Sequence, residues 1–312
     1  MDYLLLLAGI GLLYLGGEGL VRGGVGLGRR LGMSPLVIGL TIVSCGTSSP
    51  ELAASLAAVF AESPAIAVGN VIGSNIANLT LVLGLTALVW PLTSSARFLA
   101  RDAAVMVAAS LGLLVLVQDG LVTRADGAIL LAAMVAYLYI LLTRRRQEKR
   151  DVTKEFETAA LAVRADLWRG VAMVLAGTGL LVLGAKLLVT GAVGIAEDLG
   201  VSERVVGLTM VAFGTSLPEL AASLVAAVRH HSEIVFGNLI GYNIFNILMI
   251  LGVTAVAEPV AAPWADLRVD LLVMLAIAVL APILLVSGQR ISRWEGGLLL
   301  LGYTGYVALL FR

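Results

Sequence analysis

Two glutamates stand in stretches of the chain that are otherwise apolar. Glu51 ends the hexapeptide Gly-Thr-Ser-Ser-Pro-Glu at 46–51, and Glu219 ends Gly-Thr-Ser-Leu-Pro-Glu at 214–219, an offset of 219 − 51 = 168 residues. A carboxylate inside a membrane span is costly, and neither stretch contains a lysine or arginine to pair with it. Two such carboxylates that meet in a low-dielectric site must share protons or hold cations.

The residues around each glutamate supply further oxygen atoms. Pro50 and Pro218 lack an N–H, so each is expected to kink its helix and to free carbonyls one turn earlier. The predicted donors are the carbonyls of 44–47 and 212–215 and the hydroxyls of Thr47, Ser48, Thr215 and Ser216. A set made only of hard oxygen donors suits calcium or sodium rather than zinc or copper. The alternative is a kinked helix whose hydroxyls bond back to its own carbonyls.

A second motif follows each hexapeptide and adds amide and hydroxyl groups. It reads Gly-Asn-Val-Ile-Gly-Ser-Asn-Ile-Ala-Asn at 69–78 and Gly-Asn-Leu-Ile-Gly-Tyr-Asn-Ile-Phe-Asn at 237–246. On a helix, Ser74 and Asn78 share one face, as do Tyr242 and Asn246. We expect Asn78 and Asn246 to face the glutamates. A purely interhelical role and a direct role both remain open for the other four asparagines, which are Asn70, Asn75, Asn238 and Asn243.

Composition places these motifs in a membrane protein. The chain of 312 residues is 59% hydrophobic and 13% charged, with a mean hydropathy of +0.99, whereas about a quarter of residues are charged in soluble domains. Apolar runs of about 20 residues predict spanning helices and no segment alternates as a strand, so the predicted fold is all-α. The net charge of zero implies no nucleic-acid partner, and the single cysteine, Cys45, excludes an internal disulfide and a cysteine-built metal site.

The chain divides into two similar halves with five predicted spans in each. The spans lie near 3–21, 35–60, 65–89, 103–118 and 125–143, and near 169–190, 203–228, 234–256, 269–287 and 296–311. A basic linker at 144–167 separates the first half, 1–143, from the second, 168–312. The repeated segments are about 36–84 and 204–252, and roughly half of the positions are identical between 46–84 and 214–252.

Five spans per half is an odd number, so the second half is predicted to enter the membrane in the opposite sense to the first. Such inverted repeats place binding sites near the bilayer midplane. The excess of basic residues in short loops puts the linker on the cytoplasmic side of the cell membrane and both termini on the outer side. The loops predicted to lie on the cytoplasmic side contain Arg29, Arg30, Arg97, Arg101, Arg290 and Arg293.

The paired Gly-Thr-Ser-x-Pro-Glu and Gly-Asn-x-Ile-Gly-x-Asn-Ile-x-Asn segments resemble the repeats of the calcium/cation antiporter superfamily, and most closely the prokaryotic sodium/calcium exchangers. The resemblance implies that calcium is bound by Glu51, Glu219, Thr47 and Thr215. It implies flanking sodium sites made by the Ser44 carbonyl, Thr47, Ser48, Glu51 and Ser74, and by the Ala212 carbonyl, Thr215, Ser216 and Glu219. It also implies that Asn78 and Asn246 lie between the two glutamates.

Two positions depart from the pattern of that family. Prokaryotic relatives commonly have aspartate where this chain has Asn246 and serine where it has Tyr242. Asn246 removes a titratable group, which leaves two formal charges at the site. The phenol of Tyr242 has three possible roles: it supplies an oxygen, it occludes one sodium site, or it turns away. The departures leave the ion stoichiometry open.

These features predict a sodium/calcium antiporter that works by alternating access and needs the lipid bilayer, with no cofactor and no obligatory protein partner. Proton-coupled calcium exchange through the same residues is the first alternative, and a cation channel is the second. An intramembrane enzyme is disfavoured because no nucleophile stands beside a base. The only histidines, His230 and His231, are expected in a cytoplasmic loop.

Overall fold

The computed structural model describes residues 1–60, 64–93, 96–143, 167–198, 214, 216–288 and 290–310. Helices dominate both halves of the chain. In the first half the α-helices are α1 Asp2–Leu31, α2 Pro35–Ile38, α3 Ser44–Thr47, α4 Ser49–Phe60, α5 Pro64–Ala77, α6 Leu83–Val89, α7 Ala96–Leu116 and α8 Arg124–Thr143. In the second half they are α9 Leu167–Asp198, α10 Leu217–Val228, α11 Ser232–Phe245, α12 Leu251–Ala257, α13 Trp264–Gly288 and α14 Arg293–Leu310.

Wider or tighter turns interrupt several of these helices. The described part of the chain contains three π-helical segments, at Gly39–Val43, Asn78–Val82 and Asn246–Ile250, and a 3₁₀ turn at Val117–Asp119. Two of the π segments begin at Asn78 and Asn246, the asparagines predicted to face the glutamates. An extra residue in a helical turn changes the direction of the side chains beside it and frequently marks a functional site.

Seven of the described helices are long and apolar enough to cross a membrane, and an eighth span forms if the bent pair Leu36–Thr47 and Glu51–Phe60 is counted as one. Two of the seven, Ala67–Val89 and Ser232–Ala257, are mostly buried inside the protein, whereas Arg124–Thr143 is mostly exposed. The chain is therefore a mostly helical, multi-pass membrane protein with two central spans that carry the second motif. The predicted linker at 144–167 lies outside the described residues except for Leu167.

Four two-residue strands are the one departure from the all-α prediction within the described residues. β1 (Leu92–Thr93) pairs with β4 (Arg290–Ile291), and β2 (Leu121–Val122) pairs with β3 (Val260–Ala261), each antiparallel. They lie in the connections between helices and tie the two halves together. Two residues are too few for an alternating pattern, which is why the sequence did not indicate them.

Contacts between the halves come in reciprocal pairs. A Cβ built on Gly9 would lie 2.8 Å from the Gly184 carbonyl, and one built on Gly177 would lie 2.8 Å from the Gly16 carbonyl. Adding 168 to Gly9 and Gly16 gives Gly177 and Gly184, so each contact is the counterpart of the other in the opposite half. They hold α1 and α9 together at backbone distance along their length, a packing that small residues permit.

The outer helices pack on the core in a similar reciprocal way, although the glycines at these contacts, Gly127 and Gly296, are 169 residues apart and not 168. Helix α8 packs on α12, and α14 packs on α6. At these contacts a Cβ built on Gly127 would lie 2.8 Å from the Gly252 carbonyl, and one on Gly296 would lie 2.8 Å from the Gly84 carbonyl. The two halves thus enclose a common interior, where the repeated motifs meet.

Candidate cation site

The helix of the first repeat breaks at Ser48. The segments Leu36–Thr47 and Glu51–Phe60 meet at 47°, and Ser48 has φ −77° and ψ −4°. Ser216 takes nearly the same conformation, φ −87° and ψ 1°, directly before α10. Because each proline lies in the first turn of the helix that follows, its missing N–H leaves no intrahelical bond unmade. The break therefore sets each glutamate in the first turn of a new helix, where the helix dipole favours a negative charge.

Both carboxylates are buried and close to each other. The side chains of Glu51 and Glu219 are 0% exposed, and they interact electrostatically across the boundary between the halves. The hydroxyl of Thr47 lies against Glu219 and donates back to the Val43 carbonyl at 3.2 Å or the Ser44 carbonyl at 3.4 Å. Among the described residues, none of the four carboxylate oxygens has a hydrogen bond of ordinary geometry. Buried carboxylates in this state need cations or protons.

Tyr242 points into the same space. Its side chain is fully buried, and its phenol lies against the Glu51 carboxylate and the Asn246 amide without closing a hydrogen bond of ordinary geometry. The Asn246 Nδ2 donates instead to Asn75 Oδ1 at 2.9 Å, and the Asn75 Nδ2 lies 3.4 Å from the Asn243 carbonyl. Of the roles left open for the phenol, turning away from the site is therefore wrong.

The remaining predicted donors are buried in the interior too. Ser48, Ser74, Asn78 and Ser216 are each at most 5% exposed. The Ser48 and Ser216 hydroxyls and both amide atoms of Asn78 have no hydrogen-bond partner among the described residues. Polar atoms that are buried without a protein partner are rare in native proteins, and an ion or an ordered water commonly satisfies them. The two hydroxyl oxygens and the Oδ1 atom of Asn78 are available to bind a cation, whereas the Asn78 Nδ2 can only donate.

The Ser44 carbonyl is not freed by the proline. It accepts a hydrogen bond from the Ser48 N–H at 2.9 Å, because the helix continues for one more turn before it breaks. The oxygen keeps one lone pair for an ion. The Ser44 hydroxyl lies 2.7 Å from the Gly39 carbonyl and 3.1 Å from the Asn238 carbonyl, so it ties the first repeat to α11. The other predicted donors of this type, the Ala212 carbonyl and Thr215, lie outside the described residues.

The asparagines whose role the sequence left open divide into two kinds. The Asn70 Nδ2 donates to the Ser55 hydroxyl at 3.1 Å, and the Asn238 Nδ2 donates to the Ser223 hydroxyl at 3.2 Å. These bonds exchange under the 168-residue offset and join neighbouring helices, which is an interhelical role. Asn75, in contrast, orients the amide of Asn246 beside the site.

One residue beside the site carried no signal in the sequence. The hydroxyl of Thr178, on α9, is buried without a hydrogen-bond partner among the described residues. It faces the broken segment, since a Cβ built on Gly46 would lie 2.9 Å from it. The residue 168 positions earlier is Ile10, so the repeat did not single Thr178 out.

The chemistry of the site follows from its donor types. They are carboxylate, hydroxyl, amide and carbonyl oxygens, and among the described residues no group of three or more His, Cys, Asp or Glu side chains is placed to hold a metal ion. Such a set favours a hard cation held by two carboxylates and neutral oxygens. The site sits where the two halves meet, so a relative movement of the halves would change access to it.

Comparison with known proteins agrees with this chemistry. The profile of the family described as sodium/calcium exchanger protein matches residues 1–143 and 169–312. The putative antiporter CaxA of Alkalimonas amylolytica is 38% identical over 311 residues, which cover 98% of this chain and 97% of that protein. The sodium/calcium exchanger MaX1 of Methanosarcina acetivorans is 30% identical over 345 residues, covering 100% and 99% of the two chains.

Solved structures show the same fold. The sodium-calcium exchanger NCX_Mj, soaked with sodium and no calcium, superposes with a TM-score of 0.81 at 32% identity over 98% of both chains. The same exchanger soaked without either ion gives a TM-score of 0.82 at 32% identity, covering 99% of this chain and 98% of that one.

Proposed function

The chain belongs to the sodium/calcium exchanger protein family, and from this premise we propose that it exchanges sodium for calcium at a site between Glu51 and Glu219. The observation that carries the proposal is the pair of fully buried carboxylates with no hydrogen bond of ordinary geometry among the described residues. Burying a single carboxylate without a partner destabilises the fold by several kcal/mol. A pair of such carboxylates therefore indicates a functional site.

Competition for shared oxygens explains how the exchange is coupled. Two carboxylates balance one Ca²⁺, and sodium ions use the same oxygens, so the two cargoes exclude each other. The ligands proposed on the side of the first repeat are Glu51, Thr47, Ser48, the Ser44 carbonyl, Ser74 and Asn78. The ligands proposed on the side of the second repeat are Glu219, Ser216, Thr215, the Ala212 carbonyl and Asn246, and the phenol of Tyr242 lies beside them.

The arrangement of the chain in the membrane is part of the same proposal. The reciprocal contacts between the halves support two inverted repeats of five spans, 1–143 and 168–312, with the linker 144–167 on the cytoplasmic side of the cell membrane and both termini outside. In this arrangement α1 and α9 form one body that slides past the helices that hold the site. Their contact with each other consists largely of backbone and small residues, which lets the pair move as a unit.

Proton-coupled calcium exchange is the alternative, because the same carboxylates can carry protons in place of sodium. It predicts calcium uptake that follows a pH gradient and persists without sodium. A cation channel would instead pass calcium without any counter-ion. The relatives are transporters, and we expect no enzymatic activity.

The test is calcium uptake by proteoliposomes loaded with sodium, compared with potassium-loaded vesicles and with vesicles that carry only a pH gradient. We expect uptake in the sodium-loaded vesicles alone, and Glu51→Gln is expected to abolish it. Glu258→Gln is a matched control, because Glu258 is exposed and pairs with Arg124 at 3.1 Å, outside the site. Wild-type uptake that ignores internal sodium would reject sodium coupling, and normal transport by Glu51→Gln would reject the site.

A further inference from the structure

Tyr242 breaks the two-fold repetition of the site. The residue 168 positions before it is Ser74, and both side chains are buried in the interior. Within the described residues Tyr242 is one of the largest fully buried side chains, and its phenol lies against Glu51 and Asn246. Where the first repeat has the small hydroxyl side chain of Ser74, the second repeat has an aromatic ring. The position of the second repeat that corresponds to Ser74 is therefore filled by a large side chain that lies against a carboxylate.

The charge of the site is also limited. The described helices that line the site include α4, α5, α6, α10 and α12. The formal charges on these five helices are those of Glu51 and Glu219, and the sequence of 205–215 contains no charged residue. Glu233 of α11 is 242 − 233 = 9 residues from Tyr242, about 13 Å along the helix. Glu18 of α1 is already paired with Arg22 and Arg229. Asn246 is neutral, so the site offers two negative charges.

Charge neutrality then limits the cargo. In a low-dielectric interior an uncompensated charge is strongly disfavoured, so the site is most stable when its load carries two positive charges. One divalent cation meets that condition, and so do two monovalent cations. A third monovalent cation would lack a balancing carboxylate, and the buried ring of Tyr242 takes up volume beside Glu51.

We propose that this chain exchanges two monovalent cations for one divalent cation, so that transport is electroneutral, with Tyr242 and Asn246 as the residues that set this stoichiometry. The inference rests on the proposed function, since it takes sodium and calcium as the two cargoes. It assigns to Tyr242 a specificity-determining role: the ring occupies one cation position. The exchange has no net movement of charge, so the membrane potential does not drive it.

The test is sodium-driven calcium accumulation in proteoliposomes whose membrane potential is set by potassium gradients and valinomycin. For the wild type we expect the same final calcium ratio at zero potential and at about 100 mV of either sign. An exchange that moves one net charge would change that ratio about 50-fold over each 100 mV. A potential-dependent ratio in the wild type overturns the inference, even though sodium-dependent uptake at zero potential would leave the proposed function intact. Absent uptake at zero potential would refute both.

Two variants identify the residues responsible. Tyr242→Ser combined with Asn246→Asp restores a small side chain and adds a third carboxylate, and we expect its calcium ratio to depend on potential. Tyr242→Phe keeps the ring and removes only the hydroxyl, so its ratio is expected to stay independent of potential. A double variant that transports calcium independently of potential would overturn the assignment to these two residues. If the double variant does not fold, Tyr242→Thr combined with Asn246→Asp is measured in its place, and a ratio independent of potential would again overturn the assignment to these two residues.

Discussion

Gly177→Ala tests the close contact between α1 and α9. The added Cβ would lie 2.5 Å from the Leu20 nitrogen and 2.8 Å from the Gly16 carbonyl oxygen, whereas ordinary heavy-atom contacts are about 3.5–4 Å. Both neighbours are backbone atoms, so rotation of a side chain cannot relieve the clash. The helices must separate by roughly 1 Å, and such overpacking typically costs about 1–3 kcal/mol.

Gly179→Ala is the matched control, on the same helix and two residues away. A Cβ there has nothing within 4 Å, so the substitution adds only the gain in helix propensity, about 1 kcal/mol. Gly177→Ala receives the same gain, so the difference between the variants isolates the clash. We expect Gly177→Ala to be less stable than Gly179→Ala by about 1–3 kcal/mol.

The assay is thermal unfolding of both variants in the same detergent, together with sodium-dependent calcium uptake. We expect Gly177→Ala to unfold at a temperature several degrees lower and to transport more slowly, because a splayed helix pair fits the core poorly. Equal unfolding temperatures and equal rates would refute the packing argument, since they would mean that α1 and α9 accept a side chain at their closest approach.

Two further predictions concern the asparagines. Asn238→Ala removes the hydrogen bond to the Ser223 hydroxyl and should lower the free energy of unfolding by about 0.6 kcal/mol. The rise in unfolding temperature that calcium causes should stay unchanged, and a loss of calcium affinity would contradict this prediction. Asn75→Ala should weaken calcium binding several-fold, because Asn246 loses the partner at 2.9 Å that orients its amide. The calcium affinity is measured from the unfolding temperature as calcium is titrated. An unchanged midpoint of that titration would show that Asn75 only holds helices together.

Local sequence was sufficient for several features of this protein. The long apolar runs indicated a helical membrane protein, and the repeated segments indicated the family, because both signals are local in the chain. The break before each glutamate also followed from the sequence, since a proline fixes its own backbone and removes one N–H. The backbone of Ser48 and Ser216 shows that break in both halves.

Other features depended on contacts between distant residues. Asn75 and its equivalent Asn243 are the same residue type in equivalent motifs, yet Asn75 bonds to Asn246 in the other half while the Asn243 Nδ2 donates to the Leu239 carbonyl of its own helix. No local pattern separates these two roles. The buried hydroxyl of Thr178 is a similar case, since a threonine on an apolar helix carries no signal until its neighbour across the interface is known.

The two glutamates and Tyr242 show which properties of the site follow from local composition and which depend on the packing of the two halves. Composition was sufficient to place two carboxylates in apolar spans, because insertion into a membrane follows from the residues of each span alone. The interaction between the two carboxylates, and the contact of the Tyr242 phenol with one of them, became visible in the folded chain. The reason is that packing two halves separated by 168 residues sets those distances, and side-chain direction at such a contact is a property of both surfaces together.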